Sequence, residues 1–275
     1  MTPLGGGRWR VTRPWPVGLR PYLHSYAGYW EAKVSPYRVR LVPTGRAVVV
    51  ISLGVPFAQI RRLREAHPAA VVGSLVTGLE DGPRVCDHPG GQEAIRLELT
   101  PLGAYRLFAV PMRELTNQVV ELQHVLGPRA GELVERLAAA GDWGARFDLL
   151  DAALLARLAH GPAPAPEVSH AWRLLSRSAG AIPVAAIAAE VGWSHGYLAR
   201  RFTEQIGLTP KMSARVLRFH RAVGLLSRES MDLNAVSATC GFYDQAHLNR
   251  EFRALADITP GQLAAARVAE GALPL

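Results

Sequence analysis

The sequence predicts an α+β protein. A small antiparallel β-sheet or barrel with a helical arm is expected in the N-terminal half, and an all-α domain of two helix-turn-helix modules joined by a long helix in the C-terminal half. Three observations predict this architecture. Segments rich in β-branched residues and bounded by Gly and Pro fill the first part of the chain. The apolar spacing then becomes helical, and a weak internal repeat occupies the last hundred residues.

Length and composition are those of an ordinary globular protein with room for two domains. The chain has 275 residues, of which 49% are hydrophobic and 20% charged. The sharpest change in composition is the stretch Gly161–Pro166, whose three prolines disfavour helix and favour an extended spacer. We therefore predict an N-terminal domain over 1–160, a linker over 161–167 and a C-terminal domain over 168–275.

Five segments before residue 111 have the residue types of strands. They are Arg38–Val42, Arg46–Leu53, Ala70–Leu79, Ala94–Leu99 and Tyr105–Val110.

From Glu114 onward the apolar residues recur at helical spacing, beginning with Leu115, Val119, Leu122 and Val125. This spacing predicts a helical arm that joins the sheet to the linker.

The charge balance favours an anionic partner. The formal net charge is +8, and between Ser194 and Arg228 seven basic residues face one acidic residue, Glu204. Such a concentration of positive charge is typical of nucleic-acid binding. With two cysteines, no Cys-x-x-Cys pair, no signal peptide and no apolar run long enough for a membrane span, the sequence predicts a cytoplasmic protein that does not bind a membrane.

The internal repeat appears when the C-terminal part is shifted by fifty residues against itself. The first copy contains Leu198, Arg200, Phe202, Thr209 and Pro210, and the same residue types recur at 248, 250, 252, 259 and 260. Two related modules therefore follow each other along the chain.

Each module has the order of a helix-turn-helix: a short apolar helix, a glycine, a polar N-cap and an amphipathic second helix. Val184–Val191 and Leu233–Cys240 are the predicted supporting helices, with turns at Gly192 and Gly241. Ser194 and Asp244 are the predicted N-caps. The inward residues include Leu198, Phe202, Leu248 and Phe252.

The outward faces of the second helices carry side chains that can read bases, because Arg can bond guanine in two places, and Gln or Asn can do so with adenine. We predict base-facing positions at His195, Gly196, Ala199 and Arg200, and at Gln245, Ala246, His247, Asn249 and Arg250. Phosphate contacts are predicted for Ser194, Arg201, Lys211, Arg215 and Arg218.

Between the modules, Lys211–Ser227 is predicted to form one helix about 25 Å long. A strut of that length can separate two reading helices by about one turn of B-DNA, roughly 34 Å.

The string GFYDQAHLNREF at 241–252, followed by ITP at 258–260, resembles the second helix-turn-helix of the AraC-type transcription regulators. The string AAEVGWSHGYLARRF, followed by LTP, resembles that family's first module. The resemblance spans about 170–268. It implies a seven-helix domain that binds double-stranded promoter DNA and recruits or blocks RNA polymerase, with base-facing sites at Gly196, Ala199 and Arg200 and at Gln245, Ala246, Asn249 and Arg250.

Three strings of the N-terminal half resemble, more faintly, a sensor domain found ahead of such modules: PYLHSYAGYW at 21–30, LVPTGRAVVVISLG at 41–54 and LTPLGAYRLFAVP at 99–111. This resemblance implies a small-molecule effector as partner, or a surface on which a second copy of the chain forms a homodimer. Tyr22, Tyr26, Tyr29 and Trp30 are the candidate lining of an effector pocket, although aromatic residues beside a sheet more often fill its core.

Two enzymatic functions are the alternatives. One is a DNA-targeted enzyme resembling the alkyl-transfer repair proteins, which requires a nucleophilic or zinc-bound cysteine; in the N-terminal half only Cys86 is available. The other is a small-molecule enzyme built on the N-terminal barrel, which no histidine and carboxylate spacing supports. We therefore expect no catalysis, no cofactor and no metal site.

Overall fold

The described part of the N-terminal half contains eleven strands. The computed structural model describes residues 1–5, 7–32, 36–54, 58–63, 70–228, 231–265 and 272–274. Its strands are β1 (Thr2–Gly5), β2 (Arg8–Val11), β3 (Leu23–Glu31), β4 (Tyr37–Leu41), β5 (Ala47–Ser52), β6 (Ala58–Arg62), β7 (Ala70–Val72), β8 (Leu75–Thr77), β9 (Arg84–His88), β10 (Glu93–Leu99), β11 (Val119–Glu121) and β12 (Ala272–Pro274).

These strands form two sheets whose strand pairs are antiparallel. The larger sheet has the order β1-β2-β3-β10-β5-β8-β11, and the smaller has the order β12-β4-β9-β6-β7. The register pairs Arg96 with Val50 in the first sheet and Cys86 with Val39 in the second. The side chains at these positions face a shared interior, so the two sheets enclose a cavity.

Four helices follow in the N-terminal half: α1 (Pro101–Phe108), α2 (Leu122–Leu126), α3 (Arg129–Ala139) and α4 (Trp143–His160). Helix α4 covers the outer face of β3. A Cβ at Gly28 would lie 2.1 Å from the Trp143 ring, which means that only glycine allows this approach. The main core of the protein lies in this layer and continues into the C-terminal half.

The strand predicted over Tyr105–Val110 is wrong, since these residues belong mainly to α1. Thr100 caps the helix by accepting a hydrogen bond from Gly103 N at 3.1 Å, and Pro101 occupies its first turn, where it needs no partner for a backbone N–H. Leu107 and Phe108 are buried on the inner side of the helix. Cap and proline together outweigh the strand propensity of this segment.

The helical arm predicted from Glu114 onward begins later than expected. Val119–Glu121 pairs as β11 with the edge strand β8, from Val119 opposite Thr77 to Glu121 opposite Leu75. This pairing supplies hydrogen-bond partners to the backbone groups at the edge of the sheet. The free energy gained outweighs the helical preference that the apolar spacing indicates. Leu122 and Val125, by contrast, lie in a helix as expected.

The C-terminal half is helical as predicted: α5 (Pro166–Arg177), α6 (Val184–Glu190), α7 (His195–Ile206), α8 (Pro210–Arg228), α9 (Leu233–Cys240), α10 (Gln245–Ala256) and α11 (Pro260–Ala265). The order of elements confirms the predicted α+β class. None of the helices in the described ranges combines the length and the hydropathy that crossing a membrane requires.

The two halves are in contact at several points. The link between α4 and α5 is Gly161–Ala165, shorter than predicted because Pro166 begins α5. Ala165 N donates to the buried Gln205 Oε1 at 2.9 Å. Thr116 Oγ1 donates to Gly207 O at 2.9 Å. Strand β12 pairs with β4, so the end of the described chain returns to the N-terminal sheets.

Gly207 and Asp257 occupy equivalent places in the repeat, directly after α7 and α10. Both have positive φ, +104° for Gly207 and +56° for Asp257. Because a side chain strains this conformation, we expect Asp257→Gly to raise the free energy of unfolding by about 1 kcal/mol. Urea denaturation of the variant measures this change.

The reciprocal variant Gly207→Asp is the control. A Cβ there would lie 2.9 Å from Thr116 Oγ1, so this change must lower the free energy of unfolding. If Asp257→Gly is instead destabilising, strain at this turn is not a feature of the fold.

Candidate nucleic-acid interface

The first module is built as the sequence predicts. Helix α6 ends in a turn where Gly192 has a φ of +70°, and nothing lies within 4 Å of the place a Cβ would take. The turn therefore requires glycine for its backbone conformation alone. Ser194 Oγ then accepts a hydrogen bond from Tyr197 N at 3.3 Å and caps α7.

Helix α7 separates an apolar face from a polar one. Leu198, Phe202 and Ile206 are fully buried, which confirms the inward stripe. On the opposite side His195, Gly196 and Arg200 are exposed, and Ala199 is half-buried. The base-facing positions predicted for this module therefore share one accessible helix face.

The second module repeats this arrangement. Gly241 takes the turn with a φ of +72°, and Asp244 Oδ1 caps α10 by accepting from His247 N at 2.6 Å. Leu248 and Phe252 are fully buried. On the outer face Ala246 and Arg250 are exposed, whereas Gln245, His247 and Asn249 are half-buried.

Two of these polar side chains also have partners within the module. Asn249 Nδ2 donates to Gln245 O one turn earlier, at 3.0 Å, and His247 Nδ1 accepts from Tyr243 N at 3.3 Å. The Asn249 side chain uses its amide nitrogen in this contact, and its carbonyl oxygen remains as a hydrogen-bond acceptor.

Two exposed aromatic residues were not singled out from the sequence. Tyr243, in the turn before α10, is 92% exposed. Tyr197 lies on the outer side of α7, with the Arg200 guanidinium 5.1 Å from the centre of its ring. The i, i+3 spacing of Tyr197 and Arg200 on one helix was the available signal.

The predicted phosphate ligands divide into two groups. Ser194 and Lys211 are exposed, and Arg201 is half-buried in an ion pair with Glu204 at 2.7 Å. Arg215 and Arg218, in contrast, are half-buried and also have partners within the domain, and their phosphate contacts stay a prediction.

Arg215 and Arg218 connect α8 to the two modules. Arg215 forms two hydrogen bonds of 3.0 Å with the carboxylate of Glu251 on α10. Arg218 donates to Gly180 O, at the turn before α6, at 2.7 Å. The ring of Phe219, also on α8, packs edge-on against the ring of Phe252 on α10, with centroids 4.9 Å apart. One helix thus holds α10 and the first module in a fixed relation.

The four aromatic residues proposed for an effector pocket lie in two different places. Tyr29 and Trp30 border the cavity between the sheets, which measures about 380 Å³. Tyr26 is 1% exposed and donates from its hydroxyl to Asp151 Oδ1 at 3.0 Å, in the core under α4. Tyr22 accepts a hydrogen bond from Arg106 at 2.9 Å. Tyr22 and Tyr26 therefore do not line this cavity.

The cavity has an apolar middle and polar ends. Val50, Ile60, Leu75, Cys86 and Ala94 form a separate cluster of buried residues around its centre. The sequence analysis missed the polar lining, although charged residues alternate with apolar ones along β10 from Ile95 to Leu99, which is the period-two pattern of a strand.

At one end of the cavity, Glu80 lies beside Arg84, with Oε1 2.9 Å from Nε. Burial raises the pKa of Glu80 to about 7, in spite of the neighbouring Arg84. Near this pair, Glu98 accepts hydrogen bonds from Arg46 at 2.9 Å and Arg96 at 3.1 Å. Burial alone would raise the pKa of Glu98, but these two arginines outweigh it and lower the pKa.

At the other end, His88 stacks on Tyr37 with centroids 4.6 Å apart, and its Nε2 lies 3.2 Å from Cys86 Sγ. Burial lowers the pKa of His88. Burial also raises the pKa of the Cys86 thiol to about 12, so the thiolate that a nucleophile needs is scarce at neutral pH. Among the described residues, no group of His, Cys, Asp and Glu is arranged to hold a metal ion.

Comparison with known proteins agrees with this geometry. A family model described as a helix-turn-helix domain matches residues 187–266, from within α6 to the end of α11. The C-terminal part of the chain is an AraC-type helix-turn-helix domain. In the N-terminal half, residues 14–121 match a domain of unknown function (DUF6597). No curated protein matched the chain.

Three solved structures illustrate the likeness of the AraC-type domain and of the whole chain. A transcriptional regulator with an AraC-type DNA-binding domain, from Chromobacterium violaceum, is 28% identical over 38% of this chain and 95% of its own, with a TM-score of 0.35. The DNA-binding domain of AdpA, solved with a target DNA, is 22% identical over 37% and 92%, with a TM-score of 0.35. ToxT from Vibrio cholerae is 10% identical over 88% and 98%, with a TM-score of 0.48.

The two hydrogen bonds of Arg215 predict its effect on stability. Arg215→Ala leaves the buried Glu251 without its partner and is expected to lower the free energy of unfolding by about 2 kcal/mol. The double variant with Glu251→Ala should lose less than the sum of the single variants, measured by a double-mutant cycle in urea.

Arg221→Ala is the matched control, because Arg221 is an exposed arginine on the same helix. It should change stability by less than about 0.5 kcal/mol. If Arg215→Ala leaves stability intact and instead reduces the salt dependence of DNA binding, Arg215 is a phosphate ligand after all.

The raised pKa of Glu80 predicts a pH dependence of stability. Because its pKa in the folded protein exceeds the ordinary value of 4.5, the fold favours the protonated form. The stability that Glu80 contributes is therefore lost as the pH rises from about 4.5 to about 7. We expect Glu80→Gln to be more stable than the wild type at about pH 8, and to gain little at about pH 5, in urea titrations at both values. An equal change at both pH values contradicts this account.

Proposed function

We propose that the chain is a sequence-specific transcription regulator that binds double-stranded promoter DNA with α7 and α10. The observation that carries the proposal is that two repeat-related helices present polar faces outward while one helix, α8, supports both. Helix α8 has 19 residues, about 28 Å of length. That length suits two reading helices that enter successive major grooves on one side of a duplex.

The second module is expected to supply most of the base readout. Arg250 is exposed on the outer face of α10, and Gln245 and Asn249 lie on the same helix one turn apart. Guanine is the base for which the Arg250 guanidinium is best suited, and adenine is the base for the two amides. Ala246 lies close to this face with a methyl group that can meet a thymine methyl, while His247 borders it.

The first module is expected to read fewer bases. Gly196 and Ala199 have no side chain that can form hydrogen bonds, so readout falls to Arg200 and His195. The Arg200 guanidinium lies 5.1 Å from the centre of the Tyr197 ring. This contact orders the arginine before DNA binds, so less side-chain conformational entropy is lost on binding.

Phosphate contacts are proposed for Ser194, Arg201 and Lys211, together with the N-termini of α7 and α10, whose backbone N–H groups favour anions. For Arg215 and Arg218 a phosphate contact must coexist with their partners within the domain. Arg201 must share its guanidinium with Glu204 for this role. These contacts set the register of the protein on the duplex and carry no sequence information themselves.

We further propose that the N-terminal domain, over residues 1–160, responds to a small effector. The cavity between the sheets supports this step, because it is of a size that holds a small molecule and combines an apolar centre with polar ends. RNA polymerase and a second copy of the chain are the protein partners that this function implies. We propose the cytoplasm as the location of the protein. No catalysis is proposed, because the buried thiol of Cys86 is poorly suited to act as a nucleophile.

The proposal is tested on duplexes that the full-length protein selects from fragmented DNA of its host. Arg250→Ala should weaken binding to a selected duplex by about 1–3 kcal/mol and leave binding to a random duplex nearly unchanged. Fluorescence anisotropy at one fixed salt concentration measures both affinities.

Arg136→Ala provides the matched control, because Arg136 is an exposed arginine on α3, in the N-terminal half. It removes the same charge and should leave both affinities nearly unchanged. Equal losses on selected and random duplexes for Arg250→Ala show that Arg250 does not read bases. Failure of the wild type to select any duplex rejects the proposed function.

A further inference from the structure

The cavity between the sheets carries more positive than negative side chains. Five arginines line it: Arg8, Arg10, Arg46, Arg84 and Arg96. Two glutamates, Glu31 and Glu80, share the lining. Even when Glu98, which pairs with Arg46 and Arg96, is counted with them, the arginines are in excess. A site of this charge favours an anion over a cation or a neutral molecule.

The middle of the cavity requires a ligand that is apolar over most of its length. Val50, Leu75 and Ile60 are at most 4% exposed and form its walls. A fully ionic ligand such as phosphate would leave these walls without contacts, whereas a hydrocarbon body buries against them.

Arg84 is the arginine best placed to receive the charged group of such a ligand. Its ion pair with Glu80 is poorly aligned: although the atoms are 2.9 Å apart, Arg84 Nε forms no hydrogen bond, and neither carboxylate oxygen of Glu80 accepts one from the described residues. A buried carboxylate without hydrogen bonds is costly. A ligand anion that accepts well-aligned hydrogen bonds from Arg84 therefore competes with Glu80 for this partner.

Arg84 is also linked to the first module through a short segment, the Met112–Gln118 turn. Arg84 donates from its Nη2 to Asn117 O. Asn117 is held against the same cavity wall, because its N donates to Leu79 O at 3.0 Å and its Oδ1 accepts from Asp81 N at 3.1 Å.

The next residue in the turn, Thr116, contacts the end of α7. Its Oγ1 donates to Gly207 O at 2.9 Å. A Cβ on Gly207 would lie 2.9 Å from Thr116 Oγ1, so the two residues are in close contact. The chain Arg84, Asn117, Thr116, Gly207 therefore runs without a gap from the cavity to the C-terminal end of the first reading helix.

We propose that the cavity binds an organic anion with an apolar body, that its charged group takes the place of Glu80 beside Arg84, and that the Met112–Gln118 turn transmits occupancy to α7. This inference rests on the proposed function, since DNA binding is the readout of the transmission. The low cost of protonating Glu80 supports the exchange of partners, because burial raises its pKa to about 7.

The ligand class is tested with two matched probe series on the full-length protein. One series is 2-naphthoate, 2-naphthamide and 2-naphthylmethylamine, and the other is octanoate, octanamide and octylamine. Each keeps one apolar body and changes the charge. By calorimetry we expect a carboxylate of at least one series to bind about tenfold more tightly than its amide, with its amine weaker still.

Glu80→Gln sharpens this test because it removes the competing carboxylate with little change of shape. It should tighten binding of the carboxylate about threefold and leave amide binding nearly unchanged. Binding of the amides or amines as tight as that of the carboxylates, or no binding of any probe, overturns the assignment of an organic anion.

Transmission is tested with Thr116→Val, which removes the donor to Gly207 and keeps the size of the side chain. In the wild type, a saturating carboxylate should change the affinity for a selected duplex about fivefold or more. In Thr116→Val the carboxylate should bind as before and the duplex affinity should no longer respond.

Each outcome separates the two proposals. Wild-type binding to a selected duplex is measured first and without probes, so its failure rejects the proposed function alone. If that binding is sound but does not respond to a bound carboxylate, or if Thr116→Val responds as fully as the wild type, the transmission route is wrong.

Discussion

The attachment of helix α8 to both modules is the constraint on which the proposed DNA recognition depends. Arg218 bonds the turn before α6, Arg215 bonds Glu251 on α10, and the Phe219 and Phe252 rings pack between the two. Since these contacts bury α8 against each module, α7 and α10 cannot turn independently. A pair of helices fixed in this way can meet two grooves at once, whereas two loosely joined modules would lose binding energy to ordering.

Most of the C-terminal domain could be predicted from the sequence because its signals are local. The glycines at 192 and 241, the caps Ser194 and Asp244 and the spacing of buried apolar residues each act within one or two helical turns. The contacts of Arg215 with Glu251 and of Arg218 with Gly180 could not be predicted, because nothing local in the sequence marks a partner 36 or 38 positions away. The N-terminal half shows the same limit: β11 forms because β8 offers it a free edge, whose residues lie 42 to 46 positions earlier in the sequence.

The junction between the two halves gives the first module a role beyond DNA contact. Thr116 bonds the end of α7, and Gln205 of the same helix bonds the link before α5, so the Met112–Gln118 turn of the N-terminal half directly contacts the helix that carries Arg200. A cavity with buried and imperfectly paired charges lies on the other side of the same turn. Side chains that are costly to bury in one state are suited to favour another state once a ligand supplies the missing partner. The arrangement joins the cavity to α7 through four residues, Arg84, Asn117, Thr116 and Gly207.

The most direct measurement of the central claim is a methylation-protection footprint of the full-length protein on a selected duplex. We expect two clusters of guanines protected at N7 in the major groove, about 10 base pairs apart and on one face of the helix. A single protected cluster, or two clusters on opposite faces, would contradict the account, because α8 would then not place α7 and α10 side by side along the DNA.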